Sequence, residues 1–431
     1  MHDGRADMEG GGADMDNGES PNSTDTAAAV NVPDRDSRFL ESGDESGTAP
    51  GDRKFRPDVE GLRALAILLV VLFHADVPRV TGGFIGVDVF FVISGFVITG
   101  LLLREHASSG RTRLAAFYGR RSRRILPAAT VVIIVTVLAS YHWLGFLTGD
   151  DTARVARTAS LFYANFHFIA AGTDYLASQA PPSALQNFWS LSVEEQFYVV
   201  YPTLFIVAAI CWKRVDIRVK LAALLLVSIA VSFAWSVHQT QASPVSAFFS
   251  PFTRAWELAL GSLVAVASLQ LRKIPPIAAA VMTWVGLGGI LTAAFVYSST
   301  TPYPGTAVAL PVMSTALVIA GGTANPSMGA ELLLRFRPFQ WLGKLSYSLY
   351  LWHWPILIIA AQHVGHPLSV EDNLLWMLVA LALSIASYFI VENPIRHWSF
   401  LARSGGRSLA LGALLIGLSL AIAFFEIASH S

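Results

Sequence analysis

Thiols and charge are both scarce in this chain. Cys211 is the one cysteine in 431 residues, which excludes an intrachain disulfide and any cysteine-based metal site. Charged residues make up 14% of the chain, against about 25% in soluble domains. Lys+Arg and Asp+Glu balance at 30 each, so no basic excess points to nucleic acid. The chain also lacks a zinc-type His/Glu cluster, a P-loop and a nucleotide-binding glycine fingerprint. No metal and no tightly bound cofactor is therefore expected. What is present is apolar: 53% hydrophobic residues and a mean hydropathy of +0.51. This composition predicts an all-α, polytopic membrane helical bundle.

Residues 1–52 are rich in Gly, Asp, Glu, Ser and Asn and hold almost no large apolar residue. They predict a disordered tail, and no apolar h-region marks a signal peptide. Apolar runs follow at 58–77, 83–103, 125–146, 189–212, 219–238, 254–270, 276–297, 303–322, 342–362, 373–392 and 408–427. They predict ten core transmembrane helices and an eleventh, C-terminal one. The weaker run 153–171 carries Arg154, Arg157, Asn165 and His167 and reads as an amphipathic or re-entrant piece of an outer loop. The positive-inside rule then sets orientation. Arg53, Lys54, Arg104, Arg111, Arg113, Arg120, Arg121, Lys213, Arg214, Arg335, Arg337 and Arg396 all fall on one side. That side is the cytoplasm, with the N-terminus inside and the C-terminus outside. The predicted organisation is a 1–52 tail, a 53–400 membrane domain, and a 401–431 linker and anchor helix.

Ionisable residues inside spanning helices are costly and read as functional by default. Arg63 and His74 lie eleven residues apart on one aliphatic helix, about 16 Å along its axis. In this topology His74, Asp88, Glu194, Glu195, Arg254 and Glu257 are expected to share an outer-facing pocket. Arg121, Arg124, Lys344 and Tyr350 belong to an inner, cationic vestibule suited to phosphate, with His353 deeper on the same helix as Lys344. Several residues also have plainer readings. Ser192-x-x-Glu195 has capping-box form at a helix start. Glu392, placed at a helix C-terminus, needs a partner, either Arg396 or an arginine of the inner cluster. His353, between Trp352 and Trp354, fits a hydrogen-bonded core histidine as well as a substrate contact.

Seven motifs occur in one order: RPDVEGLRALAILLVVLFH, GGFIGVDVFFVISGF, FYGRRSRRILP, NFWSLSVEEQFYVVYP, RAWELALG, LSYSLYLWHWP and VENPIR. Together they resemble acyltransferase family 3, integral-membrane enzymes that O-acylate cell-surface polysaccharides and lipids. The resemblance implies a bacterial plasma-membrane enzyme. It would move an acyl group, acetyl first, from cytoplasmic acyl-CoA to a hydroxyl of an extracytoplasmic sugar, envelope glycan or glycolipid. It implies His74 as general base or acyl carrier, with Asp88, Glu194 and Glu195 as its acidic support. Arg63, Arg121, Arg124, Lys344 and Tyr350 would hold the acyl-CoA co-substrate. Arg254, Glu257 and His353 would meet the sugar, with Arg254 as an oxyanion or orienting group. Related chains continue after the eleventh helix into an SGNH-type hydrolase domain; this sequence stops at Ser431, so that domain is either naturally absent or truncated away. A separate extracytoplasmic partner of that type is implied if transfer requires it. The alternative is a proton-coupled exporter of an envelope precursor, against which stands the absence of a visible internal repeat.

Overall fold

In lipid each backbone N–H and C=O must bond within its own segment, so apolar runs of this length fold as helices. A computed structural model describes residues 56–110, 112–176, 181–211 and 214–430. The 1–52 tail, Arg53, Lys54, Arg111 and Lys213 lie outside the described residues. Among the described residues there is helix and turn and no strand.

The first half of the chain forms α1 (Pro57–His74), α2 (Gly86–Ser109), α3 (Leu114–Leu144), α4 (Phe146–Ser160), α5 (Ala164–Ala170), α6 (Phe188–Ile210) and α7 (Ile217–Ala242). The second half forms α8 (Pro244–Phe249), α9 (Pro251–Val266), α10 (Ser268–Leu271), α11 (Pro276–Val296), α12 (Ala309–Thr323), α13 (Glu331–Leu334), α14 (Arg337–Val364) and α15 (Val370–Ser387). A π-turn at Tyr388–Glu392 leads into α16 (Asn393–His397), α17 (Ser399–Ala402) and α18 (Gly405–His430). Each of the eleven expected runs falls on a helix.

Among the described residues, seven helical stretches are long and apolar enough to cross a membrane: Gly83–Ser109, Leu114–Leu144, Phe188–Ile210, Ile217–Ala242, Pro276–Val296, Val370–His397 and Gly405–His430. The other four expected spans fall on α1, α9, α12 and α14. The first turns of α1 carry Asp58, Glu60 and Arg63, and α9 and α12 are short, at 16 and 15 residues. The run 153–171 folds as parts of α4 and α5, two short helices in the connection before α6.

Two helices form the polar spine. α1 packs along α14 and α2, and α14 also touches α3 and α15. Arg63 on α1 donates from Nη2 to Ser346 Oγ of α14 at 2.9 Å. One end further on, His74 meets His353 at 3.0 Å. Successive ties of this order make the two helices run parallel. Pro355 lies inside α14, which nevertheless continues to Val364. The last helix, α18, packs along α3 and α4. It is tied there by buried Arg123, which donates to Ser408 Oγ at 2.6 Å and to the Leu401 carbonyl at 3.2 Å. α7 turns Leu226, Val227, Val231 and Trp235 outward, as a lipid-facing helix does.

α2 and α9 come together at reciprocal glycines. A Cβ on Gly95 would run into the Leu258 carbonyl, and one on Gly261 into the Val92 carbonyl. Small residues permit such close backbone approach between membrane helices. Gly95→Ala and Gly261→Ala should each force the pair apart and destabilise the fold by about 1–3 kcal/mol, the usual cost of overpacking. Thermal unfolding in detergent by tryptophan fluorescence checks this; wild-type melting in both variants would show that the pair can yield.

Candidate active site

α1 stops at His74, because the chain turns at Asp76 with φ 54° and a Val-Pro step follows. The Asn373 side chain of α15 donates to the Ala75 carbonyl at this stop. The terminal imidazole is thereby held at the rim rather than inside a continuing helix. His74 Nδ1 lies 3.0 Å from His353 Nε2, and His74 Nε2 lies 3.0 Å from the Tyr175 hydroxyl. The Trp354 ring meets His74 edge-on at 4.6 Å. Trp354 is itself anchored, its indole N–H donating to the Ser183 carbonyl at 2.9 Å. His353 is fully buried, whereas His74 and Tyr175 remain partly accessible.

The carboxylates expected beside His74 are elsewhere. Asp88 accepts from Arg254 Nη1 at 2.8 Å and from the Tyr303 hydroxyl. Arg254 Nη1 also donates to Glu257 Oε1 at 3.1 Å, and its Nε to the Phe248 carbonyl at 3.1 Å. Asp88, Arg254 and Glu257 are all at most 1% exposed. This group is sealed off, not a lining of an open pocket. Aromatic rings link it to the His74 site. Arg254 lies over the Phe248 ring at 5.0 Å, and Phe248 stacks on Tyr175 at 4.5 Å.

Glu194 and Glu195 likewise face Arg121 rather than the place expected for them. They sit two turns into α6, because that helix starts at Phe188 rather than beside them. The capping box therefore does not form: the Ser192 hydroxyl donates to the Phe188 carbonyl and accepts from Ala164 N–H. Glu195 instead pairs with Arg121 at 2.8 Å, and Glu194 lies 3.8 Å from the same guanidinium. Ser94 and Tyr198 both donate to Glu194 Oε1 at 2.6 Å. The Arg121 guanidinium stacks on the Tyr198 ring at 3.4 Å. Residues assigned to opposite ends of the bundle thus meet partway along it. The reason is length: both Arg121 and the glutamates stand well inside their helices, not at the ends.

Arg124 is different. Among the described residues it makes no hydrogen bond or ion pair, and its electrostatic neighbours are Arg63, Arg121 and Arg396, with Glu392 as counter-charge. Arg63 rests on one hydroxyl, Ser346 Oγ. Glu392 accepts from Ser348 at 2.8 Å and has no ion pair within 4 Å among the described residues, so the expected Glu392–Arg396 bridge does not close. Nor is Glu392 at a helix end, since the π-turn carries the helix on through α16. The result is a cluster of arginines, Arg63, Arg124 and Arg396, with Glu392 as the nearby counter-charge. Bidentate donors in that ratio suit a phosphate-bearing anion.

On α14, Lys344 lies in the second turn and is partly exposed. Tyr350 stands further on, its hydroxyl 2.6 Å from Ser190 Oγ and donating to the Asn187 carbonyl. Tyr350 therefore braces the start of α6 and not the arginine nest. No group of three or more His, Cys, Asp or Glu among the described residues could hold a metal. Tyr175, Ser346, Tyr303 and Ser94 are site residues that the sequence did not single out. Tyr175 sits in a connection with no periodicity, and nothing local marks it. The serines were visible inside the motifs LSYSLY and VISGF but carry no charge to betray them.

The family described as the acyltransferase domain matches residues 56–392. Among curated relatives, the YrhL protein of Bacillus subtilis (strain 168) is 31% identical over 361 residues, 80% of this chain and 56% of its own. The peptidoglycan O-acetyltransferase OatA of Listeria monocytogenes is 31% identical over 366 residues, 81% of this chain and 57% of its own. The O-acetyltransferase OatA of Staphylococcus aureus (strain NCTC 8325) is 28% identical over 356 residues, 81% of this chain and 58% of its own. The chain thus spans a little over half the length of the curated relatives it matches. No solved structure matches it.

The sealed Arg254 group makes a stability prediction. Arg254→Met leaves two buried carboxyl groups without their cation, and breaking such a set typically costs about 3–5 kcal/mol. The expected result is loss of folded protein on size exclusion, or a sharply lower melting temperature. Normal folding with lost activity would instead make Arg254 a functional cation.

Proposed function

The chain belongs to the acyltransferase family whose domain it matches over residues 56–392, and we propose from that membership that it is a membrane O-acetyltransferase of a cell-envelope glycan. The observation that carries the reading is the partly open His74 ring at one end of α1 with the arginine nest at the other. The relatives named for O-acetylation support the acetyl group and the glycan hydroxyl. The arginine nest supports acetyl-CoA as donor, since its nucleotide end carries phosphates.

In this reading Arg63 and Arg124, with Arg396, bind the donor phosphates at the cytoplasmic face. Arg121 is neutralised by Glu195 and Glu194, so it shapes the passage rather than holding phosphate. The pantetheine arm threads between helices toward His74. The acceptor hydroxyl takes the place of the Tyr175 hydroxyl at His74 Nε2. His74 accepts its proton while the oxygen attacks the thioester carbonyl. A C–O bond forms, the C–S bond breaks, and the proton passes to the leaving sulfur to release the CoA thiol. The chain sits in the bacterial plasma membrane with the seven long apolar helices and α1, α9, α12 and α14 all crossing, N-terminus inside and C-terminus outside. Arginine asymmetry supports that orientation. α1, α9, α12 and α14 complete the count because their polar residues face partners within the bundle, not lipid. An SGNH-type partner outside would pass the acetyl group on where this chain does not meet the glycan itself.

Thiol release from acetyl-CoA, with a soluble cell-wall fragment as acceptor and the protein in lipid, tests this. His74→Ala should lower turnover about 10²–10⁴-fold, the range for a lost general base. Arg124→Ala should raise the apparent KM for acetyl-CoA about 10- to 100-fold with kcat kept, as expected on losing hydrogen bonds to a charged group worth about 1.5–3 kcal/mol. Folded protein that neither binds acetyl-CoA nor releases thiol would overturn the donor site.

A further inference from the structure

His353 is fully buried, packed between the rings of His74 and Tyr350. Its two ring nitrogens face different partners. Nδ1 lies 3.1 Å from the Leu349 carbonyl and Nε2 lies 3.0 Å from His74 Nδ1. A carbonyl only accepts, so His353 Nδ1 carries the proton of that bond. A neutral imidazole holds one such proton, which leaves a lone pair on His353 Nε2. His74 must then carry its own proton on Nδ1 to fill the 3.0 Å contact. By the same count His74 Nε2 is left as a lone pair, and the Tyr175 hydroxyl donates to it. The alternative, a doubly protonated His353, would bury a cation that no carboxylate among the described residues hydrogen-bonds, which is costly.

From this chain of four groups we infer that His353 is the positioning residue of the reaction, holding His74 in the one tautomer whose Nε2 can accept a proton from a substrate hydroxyl. Its place is the one that Asp88 or Glu194 was expected to take. A carboxylate orients an imidazole and adds a counter-charge; a neutral histidine fed by a backbone carbonyl orients it with no charge added. α14 does this through helix geometry alone, since Leu349 and His353 are four residues apart and lie on one face. The inference rests on the reading of His74 as base, and its test separates the two.

The direct measurement is the ring nitrogen resonances of ¹⁵N-histidine-labelled protein in lipid, with His74→Gln identifying the His74 signals. The expected result is His74 protonated on Nδ1 in the wild type and a shift toward Nε2 protonation in His353→Leu. In thiol release, His353→Leu should lower kcat about 10- to 100-fold, the range seen for outer partners that orient a functional imidazole, with the donor KM unchanged. His353→Gln offers an amide oxygen to the His74 Nδ1–H and should recover most of that loss. Wild-type His74 protonated on Nε2 overturns the inference, and so does a Gln variant as slow as Leu at equal melting temperature. Should the Leu variant not fold, the wild-type tautomer and the Gln variant still decide. Full turnover in His74→Ala with the Nδ1–H tautomer present would remove the base and leave the His353 contact standing.

Discussion

A polar group surrounded by apolar helices must find its partner inside the bundle, and in this protein α14 supplies most of those partners. Within about two turns it offers Ser346 to Arg63, Tyr347 to the Ile125 carbonyl, Ser348 to Glu392, Tyr350 to Ser190 and Asn187, and His353 to His74. These residues point in several directions, so α14 has no lipid face over this stretch. That is why it is less uniformly apolar than the helices that meet lipid along their length. It also explains why polar residues cluster in a segment of spanning length: each is a tie to a different neighbour. Remove the ties and four elements lose their fixed depth relative to one another.

The arginines show two solutions to the same electrostatic problem. Arg254 is saturated: two carboxylates, a carbonyl and three aromatic rings surround it. A guanidinium held that way is a rivet, and its planar fork can serve several acceptors at once. Arg124 is the reverse case, a cation among cations with one distant acid. Unbalanced charge of that kind is expensive in a membrane protein unless water or an anion reaches it. The contrast separates a guanidinium whose acceptors are all in place from one whose neighbours are mostly cations, a difference that position in the sequence does not reveal.

Much of the fold was legible because lipid leaves few choices: apolar runs of the right length became helices, most within a few residues of their expected ends. That RALAILLVVLFH and LSYSLYLWHWP carry polar groups needing partners inside the bundle was legible too, but the two motifs were expected in separate outer and inner clusters, whereas His74 and His353 meet. What could not be read was depth. Side-chain length and helix overhang let Arg121, about two turns into α3, reach Glu195, about two turns into α6. Topology alone placed them on opposite sides. Nor could the sequence choose which acid or base faces His74, because the partner lies 279 residues away on another helix. Tyr175 was invisible for a related reason: it comes from an irregular connection whose path only the packed bundle defines.

The parallel arrangement of α1 and α14 constrains how this chemistry can be organised. Arg63 and His74 are separated by eleven residues, about 16 Å of helix. Their partners Ser346 and His353 are separated by seven, about 10 Å. The mismatch is absorbed at the Arg63 end, where a long flexible side chain reaches a small hydroxyl. It cannot be absorbed at the other end, where two rigid rings meet nitrogen to nitrogen at 3.0 Å. The bundle therefore places its tolerance at the arginine and its rigidity at the paired imidazole rings. A sliding motion between the two helices would keep the Arg63 contact and break the histidine pair first, so the helix–helix register is itself a condition for a correctly aimed His74.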